Sequence, residues 1–247
     1  MDIHIKYMKR CIELATRGIR NTYPNPMVGC IIVHNNKIIG EGYHEAYGSN
    51  HAEVNAINSV INQELLSMST LYVNLEPCNH FGKTPPCTKL IIEKGIKNVI
   101  IGSRDPNSLV KGGGINTLIS SGCNVEHGIM KDKCDKLNKR FFTFHNQRRP
   151  YVILKWAESK DGFISPRKSD RNEQDIFWIS NEQSKKMSHY FRSQEHSILV
   201  GVQTVIDDDP ELTTRLVDGK NPIRIVLDPN NRIPNNSKVL STESETI

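Results

Sequence analysis

Two segments decide the fold of this chain: His51-Ala52-Glu53, and the longer Pro77-Cys78-Asn79-His80-Phe81-Gly82-Lys83-Thr84-Pro85-Pro86-Cys87. An imidazole and two thiolates are ligands that suit zinc. Three protein ligands leave the fourth tetrahedral position to water, as in catalytic rather than structural zinc sites. We therefore predict a catalytic zinc centre in which His51, Cys78 and Cys87 are the metal ligands.

Glu53 is the predicted catalytic residue because it stands two residues after the metal histidine. Zinc lowers the pKa of its bound water from about 15.7 to about 7, which removes about 12 kcal/mol from the cost of forming hydroxide at neutral pH. A carboxylate beside that water can take its proton and pass it to a pyrimidine nitrogen and then to the departing ammonia. Residues i and i+2 of a helix do not share a face, so His51 can hold the metal while Glu53 reaches the substrate. His-x-Glu followed by Pro-Cys-x-x-Cys is the signature of zinc nucleobase deaminases.

The spacing of the two cysteines departs from that signature, since eight residues separate Cys78 from Cys87 where the signature has two. The wider spacing resembles the deaminase half of the bifunctional riboflavin-biosynthesis deaminase/reductases. The resemblance extends to three further segments: Asn25-Pro26-Met27-Val28-Gly29, Gly42-Tyr43-His44 and Asp105-Pro106-Asn107.

This resemblance implies a fold, a substrate and a set of substrate contacts. The fold is a cytidine-deaminase-like three-layer α/β/α domain over residues 1–147. The substrate is a phosphorylated pyrimidine, 2,5-diamino-6-hydroxy-4-(5-phosphoribosylamino)pyrimidine, which the zinc site would deaminate hydrolytically. The implied substrate contacts are Asn25, His44 and His80.

Several other interpretations of the same residues stay open. His-x-Glu alone is usually a chance pattern, and two cysteines at this spacing could be buried core thiols. A structural zinc would recruit a fourth protein ligand, for which His80, Cys30 and His44 are candidates. Zinc chemistry by itself would serve cytosine or adenine equally well, so a nucleic-acid base editor is one alternative function. A non-catalytic zinc-stabilised scaffold is another.

Composition narrows the class of protein. The chain has 247 residues, of which 37% are apolar and 24% charged, as in a globular protein rather than a disordered one. It contains no run of about 18 apolar residues, and its first residues lack the apolar core of a signal peptide. The net charge of +5 and the 6% aromatic content do not favour nucleic-acid binding. We therefore expect a cytoplasmic protein with neither nucleic-acid nor membrane partners.

Periodic apolar residues predict alternating helices and strands through residue 145. A hairpin is expected because Asn35-Asn36 separates two apolar runs. The predicted helices are 4–20, His51–Ile61, Cys87–Lys94, Ile115–Ser121 and Lys131–His145, and the predicted strands are Val28–Val33, Lys37–Gly42, Thr70–Leu75, Asn98–Gly102 and Val125–Ile129.

A second module is expected after the basic boundary at residues 147–150. The predicted elements are a strand Tyr151–Ala157, a helix capped at Asn181 that runs to Arg192, and strands Ser197–Gly201 and Ile223–Asp228. This alternation predicts a parallel-type α/β lobe.

Residues 150–247 resemble the opening part of the reductase half of the same family, a dihydrofolate-reductase-like α/β lobe that uses NADPH. The segments that carry the resemblance are Lys155–Gly162, Trp178-Ile179-Ser180, Arg192-Ser193, Gly201–Thr204 and Asp207–Arg215. The resemblance implies cofactor contacts at Ala157, Trp178, Thr204 and Asp208, and contacts to a ribityl-phosphate substrate at Arg192, Leu212 and Arg215. Arginine suits a phosphate because its guanidinium makes paired, charged hydrogen bonds.

The resemblance also implies further strands, a substrate-binding acid and a glycine-rich cofactor loop beyond Ile247. A partial sheet leaves an unpaired edge and a smaller core. We therefore expect the reductase lobe to be incomplete and its activity absent or impaired, unless a second copy of the chain or a separate reductase chain completes it.

Overall fold

The computed structural model describes residues 3–81, 85–107, 113–166 and 178–247. The chain forms two units, Met1–Val152 and Ile153–Ile247. The assignment of a deaminase domain to residues 1–147 and a reductase-like domain to 150–247 stays a prediction. Within the described residues, no helix combines the length and the apolar character that crossing a lipid bilayer requires.

The first unit is built on a five-stranded sheet in the order β2-β1-β3-β4-β5. Strand β1 pairs antiparallel with β2 and β3, and β3, β4 and β5 run parallel. Asn35 and Asn36 have φ values of 46° and 61°, the left-handed conformation that a two-residue hairpin turn needs. The strands are β1 Gly29–His34, β2 Lys37–Tyr43, β3 Thr70–Leu75, β4 Asn98–Ser103 and β5 Asn124–His127.

Helices cover both faces of this sheet. Because side chains alternate along a strand, Cys30 and Ile32 pack in one apolar cluster while Ile31 and Val33 pack in another. The first cluster includes residues of α2, α3 and α4, and the second includes residues of α1 and α5. The predicted three-layer α/β/α architecture is therefore confirmed. The helices are α1 Ile3–Thr16, α2 Ala52–Asn58, α3 Cys87–Glu93, α4 Gly113–Ser120, α5 Lys131–Leu137 and α6 Lys139–Gln147, with a 3-10 helix at Gln63–Met68.

The prediction of one helix over Lys131–His145 is wrong, because Asn138 separates α5 from α6. Asn138 has φ −100° and ψ 25° and is only 3% exposed. Its side-chain amide accepts a hydrogen bond from Met27 N at 2.8 Å and donates one to Met27 O at 2.9 Å. The helix therefore breaks at a residue that contacts a partner 111 positions away. The local periodicity of the sequence, by contrast, predicts one continuous helix.

Strand β2 and helix α2 touch at Gly42, and this contact places the start of α2. A Cβ added at Gly42 would lie 2.3 Å from Ala56 N and 2.6 Å from Ala52 O. Both neighbours are backbone atoms of α2, so any side chain at this position would push the helix away from the sheet. Gly42 thus sets the distance between the sheet and the helix that carries Glu53.

The second unit contains a two-stranded parallel sheet with its own small core. Asn181 caps its first helix by accepting a hydrogen bond from Ser184 N at 2.9 Å, as predicted. Val205, Leu212 and Val239 form the core. The elements are α7 Glu182–Arg192, β6 Ser197–Gly201, α8 Val202–Asp208, β7 Ile223–Leu227 and a 3-10 helix at Lys238–Leu240.

The predicted strand Tyr151–Ala157 is wrong, since this segment has no regular secondary structure. Its β-branched and aromatic residues favour a strand, but strand β6 pairs with β7 and not with this segment. Leu154 is 78% exposed and Trp156 63% exposed. Without a partner strand, local preference alone does not form a β-ladder.

Candidate metal centre

Three side chains that can bind a metal meet at one end of the first unit. Cys78 Sγ lies 3.4 Å from His51 Nδ1, and Cys87 Sγ lies 3.3 Å from the same nitrogen. Cys87 N also donates to Cys78 Sγ at 3.3 Å. One ligand atom from each residue lies within 4.8 Å of the others. The structure therefore brings together the three predicted ligands.

Each of the three ligands lies at or just beyond the end of a strand or a helix. Cys78 follows strand β3, Cys87 is the first residue of α3, and His51 is the N-cap of α2. The predicted helix His51–Ile61 is thus shorter, since α2 spans Ala52–Asn58. His51 holds an extended backbone, with φ −71° and ψ 160°, and its carbonyl accepts from Asn55 N at 3.1 Å. This extended conformation places His51 just outside α2, whose first turn carries Glu53.

The arrangement of these three residues fits tetrahedral zinc. Bond lengths of about 2.05 Å to nitrogen and 2.3 Å to sulfur at a tetrahedral angle give a nitrogen–sulfur separation of about 3.6 Å, close to the 3.3 and 3.4 Å observed. Two soft thiolates and an imidazole are also the donor set that zinc prefers. Binding would require only small adjustments of the side chains.

None of the three candidates for a fourth protein ligand, His80, Cys30 and His44, belongs to the group of ligand atoms that could share one ion. Among the described residues, the structure shows one group of side chains that could hold a metal, and it consists of His51, Cys78 and Cys87. Cys30 is buried in the apolar cluster beneath α2, and His80 is exposed on the loop that follows Cys78. Both ring nitrogens of His44 make other hydrogen bonds. The donor set thus favours the open, catalytic type of zinc site.

Hydrogen bonds among the three ligands shift their pKa values. The hydrogen bond from Cys87, assisted by that from His51, lowers the pKa of Cys78 well below its ordinary value. The same contact with the Cys78 thiolate raises the pKa of His51 to about 9. Hydrogen bonding to Cys78 and burial raise the pKa of Cys87. The contacts therefore favour the thiolate form of Cys78, which is the form that binds metal.

Glu53 lies in the first turn of α2, next to the ligands, and is 3% exposed. Burial raises the pKa of its carboxyl group, and the charge of His51 partly opposes that shift. A raised pKa brings a carboxyl group closer to the range in which it can both accept and return a proton near neutral pH. The position and the environment of Glu53 thus suit a proton carrier.

Asn25 and His44 lie together beside the metal ligands. Asn25 Nδ2 donates to His44 Nε2 at 3.1 Å, and His44 Nδ1 donates to Asn50 O at 3.0 Å. These partners assign the neutral tautomer with its proton on Nδ1. Burial lowers the pKa of His44, in agreement with a neutral ring. The rings of His44 and His51 meet edge to face, with centroids 5.5 Å apart. His80, by contrast, is exposed, and its substrate contact stays a prediction.

Glu76 is a buried carboxylate that sequence reasoning missed, although it directly precedes Pro77-Cys78. Its Oε1 accepts from Gly114 N and Ile115 N, each at 3.1 Å, and its Oε2 accepts from Asp105 N at 3.2 Å. The side chain therefore joins the end of β3 to the loop after β4 and to the first turn of α4. The sequence feature that could have identified Glu76 is a charged residue directly after an apolar strand.

Asn79 holds the other side of the Cys78 loop and was also missed. Its Oδ1 accepts from Thr88 Oγ1 at 2.8 Å, and its Nδ2 donates to Thr117 Oγ1 at 2.9 Å. Thr88 N donates to Cys78 O at 3.2 Å. These bonds tie the Cys78 loop to α3 and α4, which limits the movement of one metal ligand relative to the other.

In the second unit, the residues predicted to bind the ribityl-phosphate substrate are Arg192, at the end of α7, and Leu212 and Arg215, on the loop that follows α8. Arg192 Nη1 donates to Thr213 O at 3.0 Å, and Arg215 pairs with Glu211 at 3.3 Å. Leu212, which lies between these two arginines in the sequence, is buried and has a φ of 53°. The loop is also fixed by His189, whose Nδ1 accepts from Arg215 N at 3.1 Å. Sequence reasoning did not identify His189.

The residues predicted to bind the cofactor are more dispersed. Ala157 lines a cavity of about 380 Å³ formed by residues 155–158, 179–181, Ser184 and Ser188. Trp178 is exposed, with Lys185 Nζ 3.8 Å above its ring. Thr204 and Asp208 lie on α8 and are exposed. Their role in cofactor binding stays a prediction.

Each of the two units matches a known protein family. The family described as "Cytidine and deoxycytidylate deaminase zinc-binding region" matches residues 1–103. The "RibD C-terminal domain" matches residues 150–247. The first match contains all three metal ligands and Glu53.

Individual relatives cover nearly the whole chain. The riboflavin biosynthesis protein RibD of Aquifex aeolicus is 44% identical over 98% of this chain and 66% of its own length. That of Escherichia coli is 38% identical over 97% of this chain and 67% of its own length. The chain thus spans about two thirds of the length of these relatives. A diaminohydroxyphosphoribosylamino-pyrimidine deaminase of Buchnera aphidicola subsp. Schizaphis graminum is 54% identical over 55% of this chain and 91% of its own length.

A solved structure has the same fold. The deaminase/reductase of Thermotoga maritima, a diaminohydroxyphosphoribosylaminopyrimidine deaminase and 5-amino-6-(5-phosphoribosylamino)uracil reductase, is 40% identical. It superimposes with a TM-score of 0.89 over 99% of this chain and 68% of the solved one. The cytidine-deaminase-like fold that the motifs implied is therefore confirmed for the first unit.

Proposed function

The chain belongs to the RibD family of riboflavin-biosynthesis proteins, and from this we propose that its first unit hydrolytically deaminates 2,5-diamino-6-hydroxy-4-(5-phosphoribosylamino)pyrimidine. The observation that carries this proposal is the convergence of His51, Cys78 and Cys87 beside the buried carboxyl group of Glu53. The likeness to relatives named as deaminases of this pyrimidine supports the choice of substrate.

Zinc held by the three ligands would lower the pKa of a water molecule at its open position to about 7. Glu53 takes a proton from that water and delivers it to the ring nitrogen next to the amino-bearing carbon. The oxygen of the water adds to the amino-bearing carbon. Glu53 then takes the second proton from that oxygen and passes it to the amino group, which departs as ammonia while a carbonyl group forms. The raised pKa of Glu53 suits both transfers.

The remaining side chains of the site orient the pyrimidine. Asn25 uses one amide hydrogen for His44 Nε2, so its second amide hydrogen and its oxygen can pair with the edge of the pyrimidine. His44 is held neutral and in a fixed orientation by Asn50 O. We propose that these two residues recognise the ring and that His80, on the exposed loop, contacts the substrate from the solvent side.

The test is ammonia release from the ribotide by the zinc-loaded chain. Glu53→Gln should keep about one zinc per chain and reduce kcat by at least ~10²–10⁴-fold, since it removes the proton carrier. Glu64→Gln changes an exposed glutamate of the same unit and should leave kcat unchanged. Unaltered turnover by Glu53→Gln would contradict the proton role.

An oligonucleotide substrate separates this function from base editing of nucleic acid. Deamination of a single-stranded oligonucleotide without deamination of the free ribotide would favour the base editor. A chain that binds zinc but releases no ammonia from either substrate would instead be a zinc-stabilised scaffold. We expect ammonia from the ribotide alone.

We propose that the second unit carries part of an NADPH-dependent reductase site. The support is the hydrogen bond that joins Arg192, at the end of α7, to the loop that carries Leu212 and Arg215, together with the cavity beside Ala157. NADPH fluorescence titration tests the cofactor contact. Saturable binding that Asp208→Ala weakens would support the proposal, and the absence of binding would contradict it for this chain.

A further inference from the structure

We infer that two buried asparagines, Asn74 and Asn138, are positioning residues for the pyrimidine, because together they fix the loop that presents Asn25 to the site. This inference rests on the proposed deaminase function. It assigns a positioning role to two residues that are neither metal ligands nor among the substrate contacts that the family resemblance implies. The loop in question comprises residues 25–29.

The peptide groups of this loop are held by the two side-chain amides. Asn138 accepts from Met27 N at 2.8 Å and donates to Met27 O at 2.9 Å. Asn74 accepts from Gly29 N at 2.7 Å and donates to Met27 O at 3.2 Å. Asn74 is fully buried and Asn138 nearly so. Four hydrogen bonds therefore fix three backbone atoms: N and O of Met27, which lies outside regular secondary structure, and N of Gly29, the first residue of β1.

The two asparagines belong to rigid parts of the unit. Asn74 is in the central strand β3, four residues before Cys78. Asn138 is the junction of α5 and α6, where it interrupts the helix. A loop tied to both has its position set by the sheet on one side and by a helical layer on the other.

The opposite side of the loop faces the site. Val28 O accepts from His44 N at 2.9 Å, and Asn25 Nδ2 donates to His44 Nε2 at 3.1 Å. The His44 ring in turn lies edge to face with that of His51. A shift of the loop would therefore move Asn25 and His44 relative to the metal ligands, although neither asparagine touches the site itself.

The expected consequence is a change in substrate binding with little change in the metal. Asn138→Ala removes both bonds to Met27 and should raise KM by roughly ten-fold, with kcat lowered far less and zinc content unchanged. Asn138→Asp keeps an acceptor for Met27 N but points an oxygen at Met27 O. It should therefore raise KM at least as much as Asn138→Ala does.

A double-mutant cycle shows whether Asn138 acts through the Asn25 loop. Asn25→Ala should raise KM, and adding Asn138→Ala to it should raise KM by less than about two-fold more, since the second change acts through a contact already lost. Multiplicative effects on KM would overturn the inference. Binding of the deaminated ribotide, measured by calorimetry, should follow KM and gives a readout independent of turnover.

Two controls separate positioning from general damage. Asn146→Ala alters an exposed asparagine on α6 and should leave KM unchanged. Leu66→Ala removes a buried core side chain and should lower the melting temperature without changing KM. If Asn138→Ala does not fold, Asn138→Ser serves the same test.

The outcomes distinguish this inference from the function on which it rests. If the wild-type chain deaminates the ribotide and the Asn138 variants have wild-type KM, the positioning role is wrong and the deaminase function stands. If the wild-type chain, loaded with zinc, releases no ammonia from the ribotide, the deaminase function is wrong and the positioning role falls with it.

Discussion

Replacement of Glu76 by glutamine should destabilise the first unit, although the two side chains have the same shape. The carboxylate accepts two backbone N–H groups on Oε1, from Gly114 and Ile115, and one on Oε2, from Asp105. In glutamine an NH₂ group replaces one of the two oxygens. It must therefore face either the N–H groups of Gly114 and Ile115 or the N–H group of Asp105. Glutamine therefore loses one bond in one orientation and two in the other, and it leaves a buried N–H facing another donor.

The size of the effect follows from those bonds. A hydrogen bond to a charged group contributes about 1.5–3 kcal/mol, and the negative charge at the start of α4 adds about 0.3–1 kcal/mol. One opposing contribution exists: burial, together with the charge of Glu76, raises the pKa of Asp105 to about 7, and glutamine would relieve that repulsion. The net loss in the free energy of unfolding should be about 2–3 kcal/mol at pH 7.

Urea denaturation of the zinc-loaded chain measures this loss, with Glu64→Gln as the exposed control. Because Glu76 anchors the backbone two residues before Cys78, zinc should also pass faster from Glu76→Gln to a chelator than from the wild-type chain. A free energy of unfolding within about 0.5 kcal/mol of wild type, together with an unchanged rate of zinc release, would refute the reasoning about Glu76.

Two further predictions address other contacts. Gly42→Ala should destabilise the first unit by about 3 kcal/mol, because its Cβ would lie 2.3 Å from Ala56 N. A urea midpoint equal to that of wild type would contradict the close approach. In the second unit, burial, with the charges of Arg192 and Arg215, lowers the pKa of His189 to about 4. The unfolded state then binds more protons between about pH 6.5 and 4, so the second unit should lose up to about 3 kcal/mol of stability as pH falls through that window. His189→Asn keeps an acceptor for Arg215 N without titrating, and its stability should fall less over the same window; equal pH dependence in the two proteins would count against the buried, neutral His189.

Local patterns predict much of the first unit because its elements obey simple periodicities. Thr70–Leu75 was predicted as a strand with the bounds observed, since a short, mostly apolar segment is typical of a strand buried on both faces. His51, Cys78 and Cys87 were predicted because their chemistry and order carry the signal without knowledge of contacts. The structure adds that they are close enough to share one ion.

The features that sequence reasoning missed depend on contacts between distant residues. Asn138 interrupts a helix while bonding to Met27, 111 residues away, and nothing in residues 131–145 alone signals that partner. The segment Tyr151–Ala157 has strand-forming residues, but forming a strand depends on a pairing edge elsewhere. Glu76 was missed because Asp105, Gly114 and Ile115, whose N–H groups it binds, lie in a loop and a helix start that meet its side chain only in the folded chain.

The central claim is that His51, Cys78 and Cys87 hold one zinc ion and leave its fourth position open, and X-ray absorption at the zinc edge tests it directly. The zinc-loaded chain should show two sulfur neighbours at about 2.3 Å and two nitrogen or oxygen neighbours at about 2.0–2.1 Å. One sulfur should disappear in Cys78→Ser. A shell of three or four sulfurs, or a shell unchanged by Cys78→Ser, would contradict the claim.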